Sequence, residues 1–166
     1  MSSIIVVAMN TDSGIEGSET SSFTYSTPRP FNAEKLEFFI NEKQNWRGIH
    51  HSEGFFWVGN DHRIAYQWKQ TKENIEFTIL GVWIASVAEN RWGRSDGYSL
   101  DHEMDWDPIF GDREQRIEFV GESMDEVKIR TGLDSCLLNE NEGKECIASL
   151  GDLPSIFPPL ILKCDI

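Results

Sequence analysis

The stretch SEGFFWVGN, residues 52–60, places four large apolar residues in an unbroken row between two glycines. A strand with one face in water alternates apolar and polar residues, and this stretch does not. Three interpretations fit the row itself: a strand buried on both faces, a loop that touches a membrane, or an aromatic binding platform. The choice among them determines the predicted fold.

The flanking sequence favours a buried strand. Strand-like runs cover 49–59, 63–70 and 74–83, and the second and third alternate clearly, as in Ile64, Tyr66 and Trp68. Such runs, separated by short polar turns, predict an antiparallel meander. We therefore expect SEGFFWVGN to be a strand in the middle of this sheet, with a helix layer on one face and a second layer on the other.

Two helices are predicted beside the strands. Asn32 has the position of an N-cap, with Phe31 and Leu36 at the spacing of a hydrophobic staple. The second helix is expected to begin at a capping box formed by Ser123 and Glu126. Its apolar stripe consists of Ile129, Leu133, Cys136 and Leu137.

The order of elements predicts an α+β domain. A short strand near Phe23, the meander and another strand at 116–120 give a mostly antiparallel sheet of about four to five strands, with the two main helices packed on one face. We expect a flexible N-terminal segment at 1–20, one domain at 21–160 and a short tail at 161–166.

Composition excludes several classes of partner. The 166 residues carry 28 acids and 15 bases, a formal net charge of −13, which repels nucleic acid and anionic membrane surfaces. The apolar run at 4–9 is too short for a signal peptide or a membrane span. The three cysteines, an odd number, indicate a reducing compartment, so we expect a cytoplasmic protein.

Motifs for known chemistry are absent from the sequence. The one Gly-Lys pair, Gly143-Lys144, lacks the glycine and the hydroxyl residue of a phosphate-binding loop. We find no Gly-x-Ser-x-Gly elbow, no His-Glu-x-x-His and no cysteine pair at zinc spacing. We therefore predict that the protein is not an enzyme and has no cofactor site. The alternative, an unrecognised active site, would lie in the polar stretch 88–112.

The histidines are the remaining candidates for a metal. His51 and His62 could approach each other across a hairpin, with His50 and Glu53 nearby, and His102 lies among the acids of 101–107. Either group could bind zinc weakly. Solvated histidines at strand ends and an acidic loop are the alternative interpretations.

Five stretches together resemble the C-terminal domain of the CobW family of metallochaperone-type GTPases. Each is short, but their order and spacing are specific. They are SSFTYSTPRPFNAEKLEFFI (21–40), SEGFFWVGN (52–60), IAYQWKQ (64–70), FGDREQRIEFVGESMDEVKIRTGLDSCLL (110–138) and LGDLPSIFPP (150–159).

The resemblance implies a structural signature in two parts, which consists of Gly54, Phe55, Phe56 and Trp57, and of Gly111, Asp112, Arg113 and Gln115. We expect Asp112 to cap its own turn and Arg113 to pair with a nearby acid. The sequence departs from the family at Asn32, where members commonly have histidine, and it has no histidine-rich linker.

The resemblance also implies a function. In full-length members an N-terminal GTPase domain carries the nucleotide and metal motifs, so none of those residues transfers to this chain. The expected role is a non-catalytic accessory domain in zinc or cobalt homeostasis, which binds a separately encoded CobW-type GTPase or a metalloprotein client. A low-affinity metal-binding protein and a relic fragment of a GTPase are the alternatives.

Overall fold

The computed structural model describes residues 20–71, 74–87 and 106–149, and the backbone of 161–162. The predicted N-terminal segment, most of 88–112 including His102, and 150–160 therefore lie outside the described residues. The helices are α1 (Ala33–Asn41), α2 (Glu126–Cys136) and α3 (Glu140–Ala148). The strands are β1 (Thr20–Thr27), β2 (Ile49–Phe56), β3 (Ile64–Thr71), β4 (Ile75–Val82), β5 (Gln115–Glu122) and β6 (Ile161–Leu162).

The strands form one antiparallel sheet in the order β1-β5-β2-β3-β4-β6. Strand β5 comes late in the chain yet lies between β1 and β2, so it connects β1 to the meander of β2, β3 and β4. The predicted α+β class is confirmed. Strand β6, a two-residue strand inside the predicted tail, and helix α3 are additions to the prediction.

One face of the sheet forms the main core. Buried residues on β1, β2, β3, β4 and β5 pack with α1 and α2. The main contributors are Tyr25, Phe56, Trp68, Phe77, Ile117 and Phe119 from the sheet, and Leu36, Phe39, Ile40, Ile129 and Leu133 from the helices.

The opposite face is open along most of its length. Thr24, Glu118, Glu53, Lys69 and Glu76 lie side by side across five strands, and all are exposed. The expectation that β2 is buried on both faces is therefore wrong except at its end. There Phe55 and Trp57 join a second, smaller core with Ala65, Trp83 and Phe110.

Two local features of β2 explain its irregular pattern. A bulge between Ile49 and His51 turns Ile49 to the same buried side as Ser52. Gly54 has a φ of +156°, and a Cβ there would collide with the carbonyl oxygen of Arg116 on β5. Only glycine allows β2 and β5 to approach this closely.

The cap of α1 is confirmed, and the predicted cap of α2 is wrong. The Lys35 N–H donates to Asn32 Oδ1 at 3.0 Å, and both staple residues, Phe31 and Leu36, are fully buried. Helix α2 begins later than expected, so Asp125 is its N-cap and accepts from the Lys128 N–H at 3.0 Å. Ser123 lies instead in the turn after β5, with a φ of +54°.

Helix α3 has a reciprocal capping box between Asn139 and Glu142. It packs through Gly143, where a Cβ would lie 2.9 Å from the Phe110 ring. This helix was not predicted, because Ile147 is its one large apolar residue and the others are small or polar. No helix within the described part of the chain is long and apolar enough to cross a membrane.

Candidate functional site

The two signature segments meet at one end of the sheet, where β2 ends and β5 begins. We call Trp57, Asp112, Arg113 and Gln115 the signature cluster. Trp57 and Gln115 are fully buried, and Arg113 is 4% exposed. Next to the cluster, Phe31 lies just before α1 and forms isolated β-bridges to Val58, after β2, and to Leu137, after α2.

Gln115 organises the cluster. Its Oε1 accepts from the Trp57 N–H at 2.9 Å, and its Nε2 donates to the carbonyl oxygens of Trp57, at 2.9 Å, and Arg29, at 2.8 Å. The Trp57 indole donates in turn to the Pro28 carbonyl at 3.2 Å. One buried amide thus holds the chain before α1 against the end of β2.

Asp112 caps a neighbouring turn rather than its own. Its carboxylate accepts from the N–H groups of Ile84 and Ala85 at 2.8 and 2.9 Å, at the start of the 3-10 turn Ile84–Ser86. Gly111 has a φ of +72°, and a Cβ there would collide with the Ala85 side chain. The expectation for Asp112 is therefore corrected: it ties the chain after β4 to the chain before β5.

Arg113 binds neutral oxygens, which corrects the expected pairing with an acid. Its guanidinium donates to the His62 carbonyl at 2.7 Å, the Phe110 carbonyl at 2.8 Å and Ser86 Oγ at 2.9 Å. It also lies 5.6 Å from the centre of the Trp57 ring. Among the described residues no carboxylate is within ion-pair distance of Arg113, and burial lowers its pKa.

The histidines do not converge. His51 pairs with Thr71 at one end of the β2–β3 hairpin, whereas His62 follows the turn Gly59–Asp61 at the other end. Five strand residues separate the two ends, roughly 17 Å. The predicted approach of His51 and His62 is therefore wrong, because they flank opposite ends of a two-stranded ladder.

Each described histidine has a separate environment. His51 Nε2 lies 3.3 Å from Glu53 Oε2 on the open face of the sheet, and His50 lies beside the bulge of β2. Burial lowers the pKa of His62, and the positive charges of Arg113 and Arg63 lower it further. In the described ranges no three histidine, cysteine, aspartate or glutamate side chains are placed to hold a metal ion.

A groove of about 740 Å³ runs along α1 and the end of α2. Phe38, Phe39, Glu34, Glu42, Ser135 and Cys136 are among its lining residues. Phe38 is 71% exposed, although its neighbours Phe39 and Ile40 are core residues. The groove offers an apolar surface beside the carboxylates of Glu34 and Glu42 and the amine of Lys35.

Sequence reasoning missed two polar residues that support the cluster. Arg29 donates through Nε and Nη2 to the Leu138 carbonyl, at 2.9 and 2.6 Å, which ties the start of α1 to the end of α2. Asp61 accepts from the Tyr66 hydroxyl at 2.7 Å and is 8% exposed. Arg29 lies between two prolines and Asp61 lies between Asn60 and His62, and neither setting distinguishes a buried role from a surface role.

Comparison with known proteins gives matches over this region. The model of the cobalamin synthesis protein CobW C-terminal domain matches residues 20–137. The zinc-regulated GTPase metalloprotein activator 1 of Dictyostelium discoideum is 30% identical over 125 residues, which is 73% of this chain. This chain spans 26% of the length of that relative.

A solved structure shows the same fold. The Zn(II)-bound YjiA GTPase of E. coli aligns with 72% of this chain and 30% of its own, with a TM-score of 0.50 and 10% identity. The family model covers both signature segments, all five long strands, α1 and α2. The chain belongs to the CobW C-terminal domain family.

Proposed function

We propose that this chain is a non-catalytic accessory domain in metal homeostasis, which acts by binding a separately encoded CobW-type GTPase or a metalloprotein client. The proposal rests on one observation above all: the domain that matches the family has its signature polar groups engaged in internal hydrogen bonds. Such groups hold a scaffold and are not free to act on a substrate. Partner binding would then depend on residues at the surface of the domain.

The surface of the described residues supports partner binding. The open face of the sheet presents a row of charged and polar side chains, and the groove beside α1 presents Phe38. Aromatic side chains such as Phe38 are enriched at protein interfaces relative to the rest of the surface. The relatives' names connect their full-length proteins with zinc and with GTPase activity, which is why zinc and a GTPase are the proposed metal and partner.

A binding measurement with purified components tests this function. The full chain is immobilised, and a purified CobW-type GTPase of the same host is titrated with zinc and either GTP or GDP. We expect a dissociation constant of about 10 μM or tighter that depends on the nucleotide. An unrelated acidic protein of similar net charge controls for nonspecific attraction.

A pull-down from host lysate with zinc and with or without GTP covers the metalloprotein client. The bound proteins are identified by mass spectrometry and then titrated in purified form. The proposal is overturned when neither the family's GTPases nor a metalloprotein binds in this concentration range. We propose that this complex forms in the cytoplasm, which the odd cysteine count supports.

Direct zinc binding is the second candidate, because His51 and Glu53 already lie 3.3 Å apart on the open face. A competition titration against a zinc chelator measures it. On this hypothesis the affinity is tighter than about 10 μM and is lost in His51→Ala. His62→Ala at the far end of the hairpin is the matched control and leaves the affinity unchanged.

A further inference from the structure

Helix α3 lies outside both the family match and the main core. The match ends at residue 137, and every buried residue of the main core lies between Tyr25 and Leu137. The hydrogen bonds of the signature cluster join residues between Pro28 and Gln115. The main core and the signature cluster are therefore built without this helix.

A small contact holds α3 on the domain. Gly143, Cys146 and Ile147 lie on one stripe of the helix, and its other six residues are exposed. Of the nine residues in α3, Gly143 is the one that is buried. A helix of this length is marginal in water once it leaves its contacts, so α3 depends on this stripe.

The stripe of α3 packs on a surface at the signature end of the sheet. A Cβ on Gly143 would lie 2.9 Å from the Phe110 ring and 3.3 Å from Pro30 Cδ. A Cβ on Gly59 would lie 3.0 Å from Cys146 Sγ. We call Pro30, Gly59 and Phe110 the covered surface.

The signature cluster holds this covered surface in place. The Phe110 carbonyl accepts from the Arg113 guanidinium at 2.8 Å, and the Phe110 ring lies 5.6 Å from the Trp57 ring. The Gly59 N–H donates to the Phe31 carbonyl at 3.0 Å, which fixes the turn after β2. The covered surface thus belongs to the part of the molecule that matches the family, whereas its cover does not.

Two terms oppose the closed position of α3. Asn60, next to Gly59, has its Nδ2 and Oδ1 shielded from solvent without a hydrogen-bond partner among the described residues. Water reaches such an amide only when the packing around the turn loosens, and α3 is part of that packing. The helix also adds three glutamates and one lysine to a chain of net charge −13, so charge repulsion favours its release.

We propose that α3 is a displaceable cover, which competes with a helical segment of the CobW-type GTPase for the covered surface. This inference rests on the proposed function. Helix α3 itself shows what the surface accepts, namely a small residue at the closest contact, Gly143, and an aliphatic residue four positions later, Ile147. Binding of the GTPase therefore requires α3 to leave.

A disulfide that holds α3 in the closed position tests the proposal. In Gly59→Cys the new Cβ lies 3.6 Å from Cys146 Cβ, within the range of disulfide bonds. The Leu138 side chain has to turn aside, because its Cδ1 would lie 2.5 Å from this Cβ. Gly59→Ser is the matched control, since it places the same Cβ against Leu138 and cannot form the bond. Peptide mapping after oxidation with glutathione disulfide verifies the bond to Cys146.

Amide hydrogen exchange measures whether α3 opens. In the natural chain we expect the α3 amides to exchange at least about 100-fold faster than those of β5, because α3 opens while the sheet stays folded. Oxidation of Gly59→Cys should slow the α3 amides at least about tenfold and leave those of Gly59→Ser unchanged. The proposal is overturned when the α3 amides of the natural chain exchange as slowly as those of β5.

Titration with the purified CobW-type GTPase measures the competition. We expect the dissociation constant to rise at least about tenfold when Gly59→Cys is oxidised, to recover on reduction, and to be independent of oxidation in Gly59→Ser. Gly143→Leu, whose side chain would collide with Phe110, should lower the dissociation constant at least about threefold. Equal binding by the oxidised and reduced forms overturns the competition.

The two measurements separate this inference from the proposed function. A GTPase that binds none of these forms overturns the proposed function and the competition together. The exchange rates of the α3 amides then decide independently whether α3 opens, because they are measured without a partner.

Discussion

The side chain of Gln115 binds the backbone of Trp57 on both sides of that residue, with Oε1 on its N–H and Nε2 on its carbonyl oxygen. The last ladder pair between β2 and β5 is Phe55 with Arg116. Gln115 therefore continues strand pairing with its side chain where the backbone ladder stops. This contact keeps Trp57 in the second core and fixes the chain before α1 through the Arg29 carbonyl.

Replacement of Gln115 by alanine should destabilise the domain strongly. Gln115→Ala leaves the Trp57 N–H and the Arg29 carbonyl oxygen without this partner, whereas the Trp57 carbonyl oxygen keeps the Phe31 N–H at 3.2 Å. We therefore expect a loss of about 2–4 kcal/mol in the free energy of unfolding, measured in urea. Gln67→Ala is the control, because Gln67 is an exposed glutamine on β3. It should cost less than about 0.5 kcal/mol. Equal effects at the two glutamines would contradict the role of Gln115.

Substitution by alanine should destabilise the domain strongly at one glycine of the sheet, Gly54 on β2, and only slightly at another, Gly81 on β4. Gly54→Ala forces a Cβ into the β5 backbone at Arg116 and Ile117, so we expect a loss of roughly 2–4 kcal/mol or failure to fold. Gly81→Ala meets nothing within 4 Å and should change stability by less than about 1 kcal/mol. Thermal and urea unfolding measure both; tolerance of Gly54→Ala would mean that β2 and β5 are not in close contact there.

The N-cap of α2 can be identified from the effects of two substitutions on the free energy of unfolding. Asp125→Ala removes the acceptor for the Lys128 N–H and should cost about 1 kcal/mol in the free energy of unfolding. Ser123 has a positive φ, so Ser123→Gly should be neutral or stabilise the domain by up to about 1 kcal/mol. If Ser123 were the cap, its substitution would reduce stability and Asp125→Ala would have little effect.

The hydroxyl of Tyr25 should make stability depend on pH in the alkaline range. It is 3% exposed and donates to Asp134 Oδ1 at 2.8 Å, and burial together with this hydrogen bond and the charge of Asp134 raises the pKa of Tyr25. A group whose pKa is raised on folding contributes stability that is full below its unfolded pKa, about 10, and is lost as pH rises further. The unfolded chain then releases the proton first.

Comparison with Tyr25→Phe isolates this contribution. We expect the natural chain to be more stable by about 1 kcal/mol at pH near 8, from the hydrogen bond. That advantage should shrink as pH rises above about 10, in urea unfolding of both proteins. A constant difference would show that the tyrosine ionises as easily in the folded chain as in the unfolded one, and a growing difference would show that it ionises more easily when folded.

Much of the fold could be predicted because it depends on patterns of apolar residues within short stretches of the sequence. The alternation of Ile64, Tyr66 and Trp68 and the staple of Phe31 and Leu36 each require only a few neighbouring residues, and both agree with the structure. Helix α3 could not be predicted in this way, since its packing depends on Gly143, a small residue next to Phe110. The cap of α2 was misplaced because Ser123 and Asp125 are both good cap residues.

The candidate site was harder to predict, because its partners are distant in sequence. Arg113 donates to oxygen atoms of His62, Ser86 and Phe110. These three neutral acceptors take the place of the carboxylate that the sequence led us to expect. His51 and His62 are close in sequence but lie at opposite ends of the hairpin. Sequence proximity thus gave the wrong geometry for the histidines.

By itself the sequence determined the α+β class, the family and the strands and helices that local periodicity specifies. The tertiary structure decided what the signature residues do. Gln115, Asp112 and Arg113 are polar residues whose roles depend on which backbone groups meet them, and those groups come from segments up to 86 residues away. Hydrophobic periodicity acts within one element, whereas a buried hydrogen bond requires two elements to be packed first, so only the folded chain shows it.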